Sequence, residues 1–287
     1  MNTNIRKMIR NAAPVLLLAV ATSLTSAQTV SIQLVNPPGS IYATAAGINN
    51  VGHIVGAFGL PGQPLWGFAY VPATKKYTNF NYPGAMYTIA LGINDANTIV
   101  GTFALNDGQQ HGFFLTNGKT FTQFDVSGSS GTTINGINNA GDFAGTSGSE
   151  GVYQGFVSIG GTVTTFEANG RPTLVSGFNA SNTAVGFFVN AQASGTHGFL
   201  RDSAGNITQI DYPGSTSTSC NGINDAGTIT GAYTDKAGVN HGFVLENGNY
   251  RTVGTSYLTG INNRGTIVGS FVATSGQTVG FVGHTGQ

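Results

Sequence analysis

The chain has little charge, one cysteine and no apolar run long enough to cross a bilayer. Only 22 of its 287 residues are Asp, Glu, Lys or Arg, about a third of the usual share in a soluble domain. Acidic and basic side chains cancel, and no basic run follows the first ten residues. Nucleic-acid binding through a phosphate-neutralising face is therefore not expected. The single cysteine, Cys220, excludes an intrachain disulfide framework and any multi-cysteine metal site. No calcium loop of the Asp-x-Asp-x-Asp-Gly type, no Gly-x-Ser-x-Gly nucleophile turn and no phosphate-cradling glycine loop with lysine is found. No cofactor or metal is expected. What is abundant is glycine, 44 residues, with 40% hydrophobic and 10% aromatic content. That is too apolar for a disordered chain.

The N-terminus reads as a secretory signal peptide over residues 1–27. Arg6, Lys7 and Arg10 form a basic region, and Ala12 to Ala21 an apolar one centred on Leu16 to Leu18. Thr25-Ser26-Ala27 then offers small residues for cleavage. The apolar run is too short for a membrane span, and no cysteine follows it to carry a lipid. Its removal leaves eight basic and eleven acidic side chains. Residues 28–287 are expected to form one exported domain, extracellular or periplasmic, with no membrane span, working as a monomer.

Self-similarity dominates that domain. Gly-Ile-Asn, once Gly-Phe-Asn, begins at Gly47, Gly92, Gly136, Gly177, Gly222 and Gly260, with spacings of 45, 44, 41, 45 and 38. That period is the size of a four-stranded propeller blade. Asn always stands two residues after the first Gly: Asn49, Asn94, Asn138, Asn179, Asn224 and Asn262. Such an Asn can bond its own backbone and brace a turn. Five residues after the Gly comes Gly or Asn, the residue types that enter the left-handed region most readily. Nine residues after it comes a second Gly without exception, from Gly56 to Gly269, which marks a close approach of another segment. A Gly-Phe pair follows in every copy. Each repeat then holds a short hairpin such as Asn117-Gly118, and two end in Tyr-Pro-Gly, suited to a type II turn.

Each repeat thus reads as four short strands, A to D, and the fold is expected to be an all-β, six-bladed propeller. The 28 residues from Gly260 to Gln287 supply strands A to C only, and Gln28 to Ala46 supply 19 more; together they make one repeat. The N-terminal stretch Val30 to Val35 is therefore expected to complete the last blade as its outermost strand. Closure of this kind removes exposed sheet edges.

The pattern Gly-Ile-Asn-Asn-x-Gly-x-Ile-Val-Gly followed by His-Gly-Phe resembles the HAF-repeat family of bacterial extracellular proteins. Residues 47–56 and 260–269 carry the match best. The sequence departs from it at the His-Gly-Phe triplet, present at 111–113, 197–199 and 241–243, whereas Trp66, Gln154 and Val279 replace the His in the other copies. The resemblance implies a secreted repeat protein with propeller-like architecture, and no activity.

No catalytic constellation stands out. His111, His197 and His241 share one repeat slot, which separates them beyond the reach of one metal ion and points to bonding with loops. Cys220 occupies a slot that is apolar in the other copies, as expected of a buried, inert thiol. Asp125, Glu167 and Asp211 share a slot with Asn36 and Asn81 before the D–A turn and read as turn caps. Residues that break the repeat are better candidates. In a propeller the D–A and B–C loops share one face. There the sequence places Tyr42, Tyr82, Tyr87, Arg171 and Tyr212 on D–A loops, and Asp107, Glu150, Asp235 and Lys236 on B–C loops. Tyrosines among scattered polar groups suit a saccharide or an extracellular protein ligand. A binding or scaffold module is the expected function. The alternatives are a polysaccharide-acting hydrolase or lyase with its site at the channel mouth, or an envelope structural protein with no ligand. The strand A slot nearest the axis reads Ala46, Leu91, Asn135, Ser176, Asn221 and Thr259. None is ionisable at neutral pH, which weighs against the enzyme.

Overall fold

The computed structural model describes residues 31–149, 151–189, 195–254 and 256–284; the expected signal peptide lies outside them. Among the described residues, twenty-four strands form six four-stranded antiparallel sheets. The short outer strand β1 (Ile32–Leu34) comes first. Blade 1 is β2 (Tyr42–Ile48), β3 (Ile54–Gly59), β4 (Leu65–Val71) and β5 (Lys76–Phe80). Blade 2 is β6 (Tyr87–Ile93), β7 (Ile99–Ala104), β8 (Gln110–Thr116) and β9 (Thr120–Phe124). Blade 3 is β10 (Thr132–Ile137), β11 (Phe143–Ser149), β12 (Val152–Ile159) and β13 (Thr162–Phe166). Blade 4 is β14 (Thr173–Phe178), β15 (Ala184–Val189), β16 (Thr196–Arg201) and β17 (Ile207–Ile210). Blade 5 is β18 (Ser217–Ile223), β19 (Ile229–Thr234), β20 (Asn240–Glu246) and β21 (Asn249–Val253). Blade 6 is β22 (Tyr257–Ile261), β23 (Thr266–Val272) and β24 (Thr278–His284), completed by β1. The molecule is a six-bladed β-propeller, as the repeat arithmetic requires.

Closure occurs where it is expected. Ile32, Gln33 and Leu34 pair with Gly283, Val282 and Phe281. The Val35 amide donates to the Gly280 carbonyl at 2.8 Å, and the Gly280 amide donates to Asn36 Oδ1 at 3.0 Å. Val35 itself is fully buried.

The invariant glycines have a steric cause. In every blade strand A carries a register shift just before its Gly-Ile-Asn or Gly-Phe-Asn, as between Ala45 and Gly47. This irregularity pushes a strand A carbonyl against strand B. A Cβ on Gly56 would collide with the Thr44 carbonyl oxygen and lie 2.9 Å from the Phe68 ring. The same pair recurs at Gly101 with Phe113 and at Gly145 with Phe156. The strand B glycine is thus the floor on which the Gly-Phe aromatic lies. The left-handed slot is equally regular: φ is +93° at Gly52, +62° at Asn97 and +57° at Asn182.

Six apolar clusters hold the ring together, and each straddles two consecutive blades. Val55 of blade 1 packs into the blade 2 cluster around Phe113. Val100 packs into that around Phe156, and Val268 of blade 6 into that around Phe68. The Gly-Phe aromatics are buried in all six copies. Burying both faces of each blade against its neighbours explains the shortage of charge.

Candidate binding face

Antiparallel strands alternate direction. All B–C and D–A loops therefore emerge on one face of the disc, and all A–B and C–D turns on the other. The two faces differ chemically.

The A–B face is closed by side chains bonding to one another. The Nδ2 of Asn49 donates to the Asn94 carbonyl, Asn94 to Asn138, Asn138 to Asn179, Asn179 to Asn224, Asn224 to Asn262, and Asn262 back to Asn49, at 3.0–3.5 Å. Each Asn Oδ1 meanwhile accepts a backbone amide of its own turn, such as that of His53 at 2.8 Å or Thr98 at 3.0 Å. The expected turn brace is therefore present, joined by a circular belt linking every blade to the next. A second ring, interrupted at Ala180, surrounds it. Asp95 Oδ1 accepts the Asn50 amide at 2.8 Å, and Asp225 Oδ1 accepts the Ala180 amide at 2.9 Å. Burial opposes ionisation of Asp95, but donors from Asn139 and Asn50 outweigh it and hold its pKa below the ordinary carboxylate value. The belt encloses an axial cavity of about 80 Å3 whose wall includes Ile48, Ile93 and Phe178. Its two carboxylates, Asp95 and Asp225, sit on opposite blades, each engaged by a neighbouring turn. Among the described residues, no three His, Cys, Asp or Glu side chains converge as a metal-ligand set.

The B–C/D–A face holds the residues singled out from sequence. Tyr42 opens β2, and burial raises its phenol pKa. Tyr82 lies flat on Phe103 of the next blade, 3.6 Å between ring centroids and 7° between planes. Tyr212 lies on Tyr233 in the same way, at 3.6 Å and 4°, and its hydroxyl meets Thr252 Oγ1 at 2.8 Å. Tyr87 is buried and its hydroxyl accepts a hydrogen bond from Gln110 Nε2 at 2.7 Å. These rings are largely spent on joining blades. Arg171 closes its D–A turn through a bridge to Ala168. Glu150 lies outside the described residues.

The carboxylates here act as clamps. His111 sits between Asp125, 3.1 Å from Nδ1, and Asp107, 3.2 Å from Nε2. Asp211 holds His197 at 2.9 Å, and Asp235 holds His241 at 2.9 Å. Burial disfavours a charged His111, but the bonds to Asp125 and Asp107 prevail and raise its pKa. Asp107 is held below the ordinary carboxylate value by the Gln109 amide and by His111. Asp235 is lowered by His241 and the Val239 amide. The Asp125, Glu167 and Asp211 slot therefore does something other than the expected turn capping. It grips the strand C side chain: Gln154 Nε2 donates to Glu167 at 3.1 Å where the other two copies use His. The D–A turn is capped by the next blade's threonine: Thr88, Thr132, Thr173 and Thr218 Oγ1 each accept a D–A amide at 2.7–3.0 Å.

Large apolar side chains also lie bare on this face: Ile41, Trp66, Met86, Val152, Val189 and Tyr257 are all more than a third exposed. Sequence reasoning did not single them out. The signal was present at Trp66, the one aromatic in a slot that otherwise holds His, Gln or Val.

No family model and no curated protein matches the chain in sequence. Solved structures do match in shape. A luciferin-regenerating enzyme superposes with a TM-score of 0.56 at 13% identity, over 90% of this chain and 95% of its own. TolB from Acinetobacter baumannii gives 0.56 at 10% identity, over 82% of this chain and 64% of its own. A gluconolactonase from Xanthomonas campestris gives 0.52 at 8%, over 89% of each. Similarity at this level is one of fold alone.

Proposed function

We propose that the chain is an exported binding module of the HAF-repeat kind, taking a saccharide or protein ligand on the B–C/D–A face. The observation that carries this reading is the asymmetry of the disc. One face is tied together by a belt whose polar groups bond to each other around a small, partly open axial cavity. The other carries six bare apolar side chains, against Val51 and Val163 on the belt side, set among clamped carboxylates. The basic and apolar N-terminal segment supports export. Repeat-breaking residues concentrate in the loops of this face, which a rigid ring holds in fixed relative positions. The test is a glycan and protein array probed with the protein and with W66S and Y257S variants. Specific retention that the variants lose is the expected result. Retention that neither variant alters contradicts the assignment of this face.

A further inference from the structure

Resting on that reading, we infer that the occupant of the B–C/D–A face is a segment of a partner protein combining basic and apolar side chains. Three observations bear on it. The first is charge. Among the described residues, the loops of this face carry Asp107, Asp125, Glu167, Asp211 and Asp235 against Arg171 and Lys236. On the opposite face Asp95, Asp142, Asp202, Asp225 and Glu246 stand with Lys75, Lys76, Lys119, Arg264 and the buried Arg201, while Arg251 lies mid-strand in β21. The acidic excess is thus greater on the B–C/D–A side, where complementarity selects a cationic partner. The carboxylates are also held in place: Asp107, Asp125, Asp211 and Asp235 are each fixed by a histidine yet remain more than a third exposed.

The second is the nature of the bare apolar groups. Four of the six, Ile41, Met86, Val152 and Val189, have no flat ring for a sugar to stack on and suit apolar side chains; Trp66 and Tyr257 are the two bare rings. The third is the fate of the tyrosines. Tyr82 and Tyr212 each have one ring face covered by Phe103 or Tyr233, and Tyr87 is buried. Blade packing thus takes up these three rings and leaves Trp66 and Tyr257 as the exposed ones. Charge sets the sign of the partner, and the aliphatic groups set its class.

Fluorescence anisotropy with three labelled peptides tests the inference: one alternating Lys and Leu, one alternating Glu and Leu, and one alternating Lys and Ser. Neutral oligosaccharides are run as competitors and as labelled probes. The Lys–Leu peptide is expected to bind, weakening roughly tenfold between low salt and about 0.5 M salt, while the Glu–Leu peptide does not bind. The quadruple variant D107N/D125N/D211N/D235N is expected to lose roughly tenfold in affinity, the typical reach of a few charge contacts. The W66S/M86S variant, altered only at exposed side chains, is expected to lose affinity for Lys–Leu while leaving Lys–Ser unchanged. D202N/E246Q on the opposite face is expected to bind as the parent does. Equal affinity for Glu–Leu, or equal affinity of the parent and both face variants for Lys–Leu, overturns the inference. An oligosaccharide held at this face with no peptide binding also overturns it and leaves the binding-face reading standing. Failure of both peptide and oligosaccharide to bind there removes the binding-face reading as well.

Discussion

Thr230 occupies the strand B slot that holds Val55, Val100, Ala144, Val185 and Val268 in the other blades, and it is fully buried. Its hydroxyl finds no hydrogen-bond partner. A buried unmet hydroxyl costs about 1–3 kcal/mol, and valine has nearly the same shape. Thr230→Val is therefore expected to raise the urea midpoint, corresponding to about 1 kcal/mol of added stability. His111 gives a second residue-scale expectation. Its pKa is raised in the folded state by Asp125 and Asp107 against the opposing effect of burial. Its contribution is then fully present below the ordinary histidine pKa of about 6.5 and is lost as pH rises through the folded value. His111→Gln, which copies the Gln154 arrangement of blade 3, is expected to destabilise most below the ordinary histidine pKa, with the gap from the parent narrowing as pH rises above it. Urea unfolding across pH measures this; a gap that widens with pH contradicts it. Cys220 is fully buried, and burial pushes its thiol pKa up, as the apolar character of its slot implies.

At the scale of the strand and turn, the repeat makes an internal comparison possible. The belt slot is Asn in six copies of six, whereas the next slot accepts Asn50, Asp95, Asn139, Ala180, Asp225 and Asn263. The belt needs a donor and an acceptor in one side chain, whereas the outer ring tolerates Ala180, which supplies neither and interrupts it. Asn94→Asp loses the donor to the Asn138 carbonyl and sets a carboxylate against that oxygen, so a loss of about 2–3 kcal/mol is expected. Asp95→Asn keeps an acceptor for the Asn50 amide but sets an NH2 against the Nδ2 donors of Asn50 and Asn139, so a smaller loss of about 1 kcal/mol is expected. Comparing the two thermal midpoints checks both. The turns themselves are readable from sequence, because φ is decided locally: Gly52, Asn97, Gly141, Asn182, Gly227 and Gly265 all adopt the left-handed conformation their types imply. The belt is not readable, because five Asn bond a residue some forty positions away and Asn262 bonds Asn49 at the far end of the chain, and one sequence does not display that adjacency. The same limit applies to Tyr82 and Tyr212. As sequence they look like ligand platforms; only the neighbouring blade reveals Phe103 and Tyr233 lying across them. The grip of Asp125 and Asp211 on histidines of strand C is likewise a relation between two strands.

At the scale of the whole molecule, the ring depends on a three-residue strand. β1 has both large apolar side chains, Ile32 and Leu34, facing solvent, so the latch gains little from them. Its hold comes from the ladder to β24 and from Val35, buried among Ala43, Phe68 and Val268. Val35→Ala is expected to cost about 1–3 kcal/mol, a typical loss for a buried branched side chain. It is also expected to speed proteolysis near β1; unchanged resistance contradicts a closing role for this strand. Closure was legible because the terminal fragments add up to one repeat, an argument that needs only counting. The functional face was legible in part. Loop geometry follows from the strand alternation, but the greater number of bare apolar groups on this side emerges only from folded burial.

The most direct test of the face assignment exploits the buried Cys220, which leaves an introduced surface cysteine as the reactive thiol among the described residues. A bulky polymer is attached at Gln109→Cys on the B–C side, or at Lys119→Cys on the C–D side, and each adduct is applied to the glycan and protein array. The Gln109 adduct is expected to lose ligand retention and the Lys119 adduct to keep it. Retention blocked only from the Lys119 side would place the binding surface on the belt face and contradict the account.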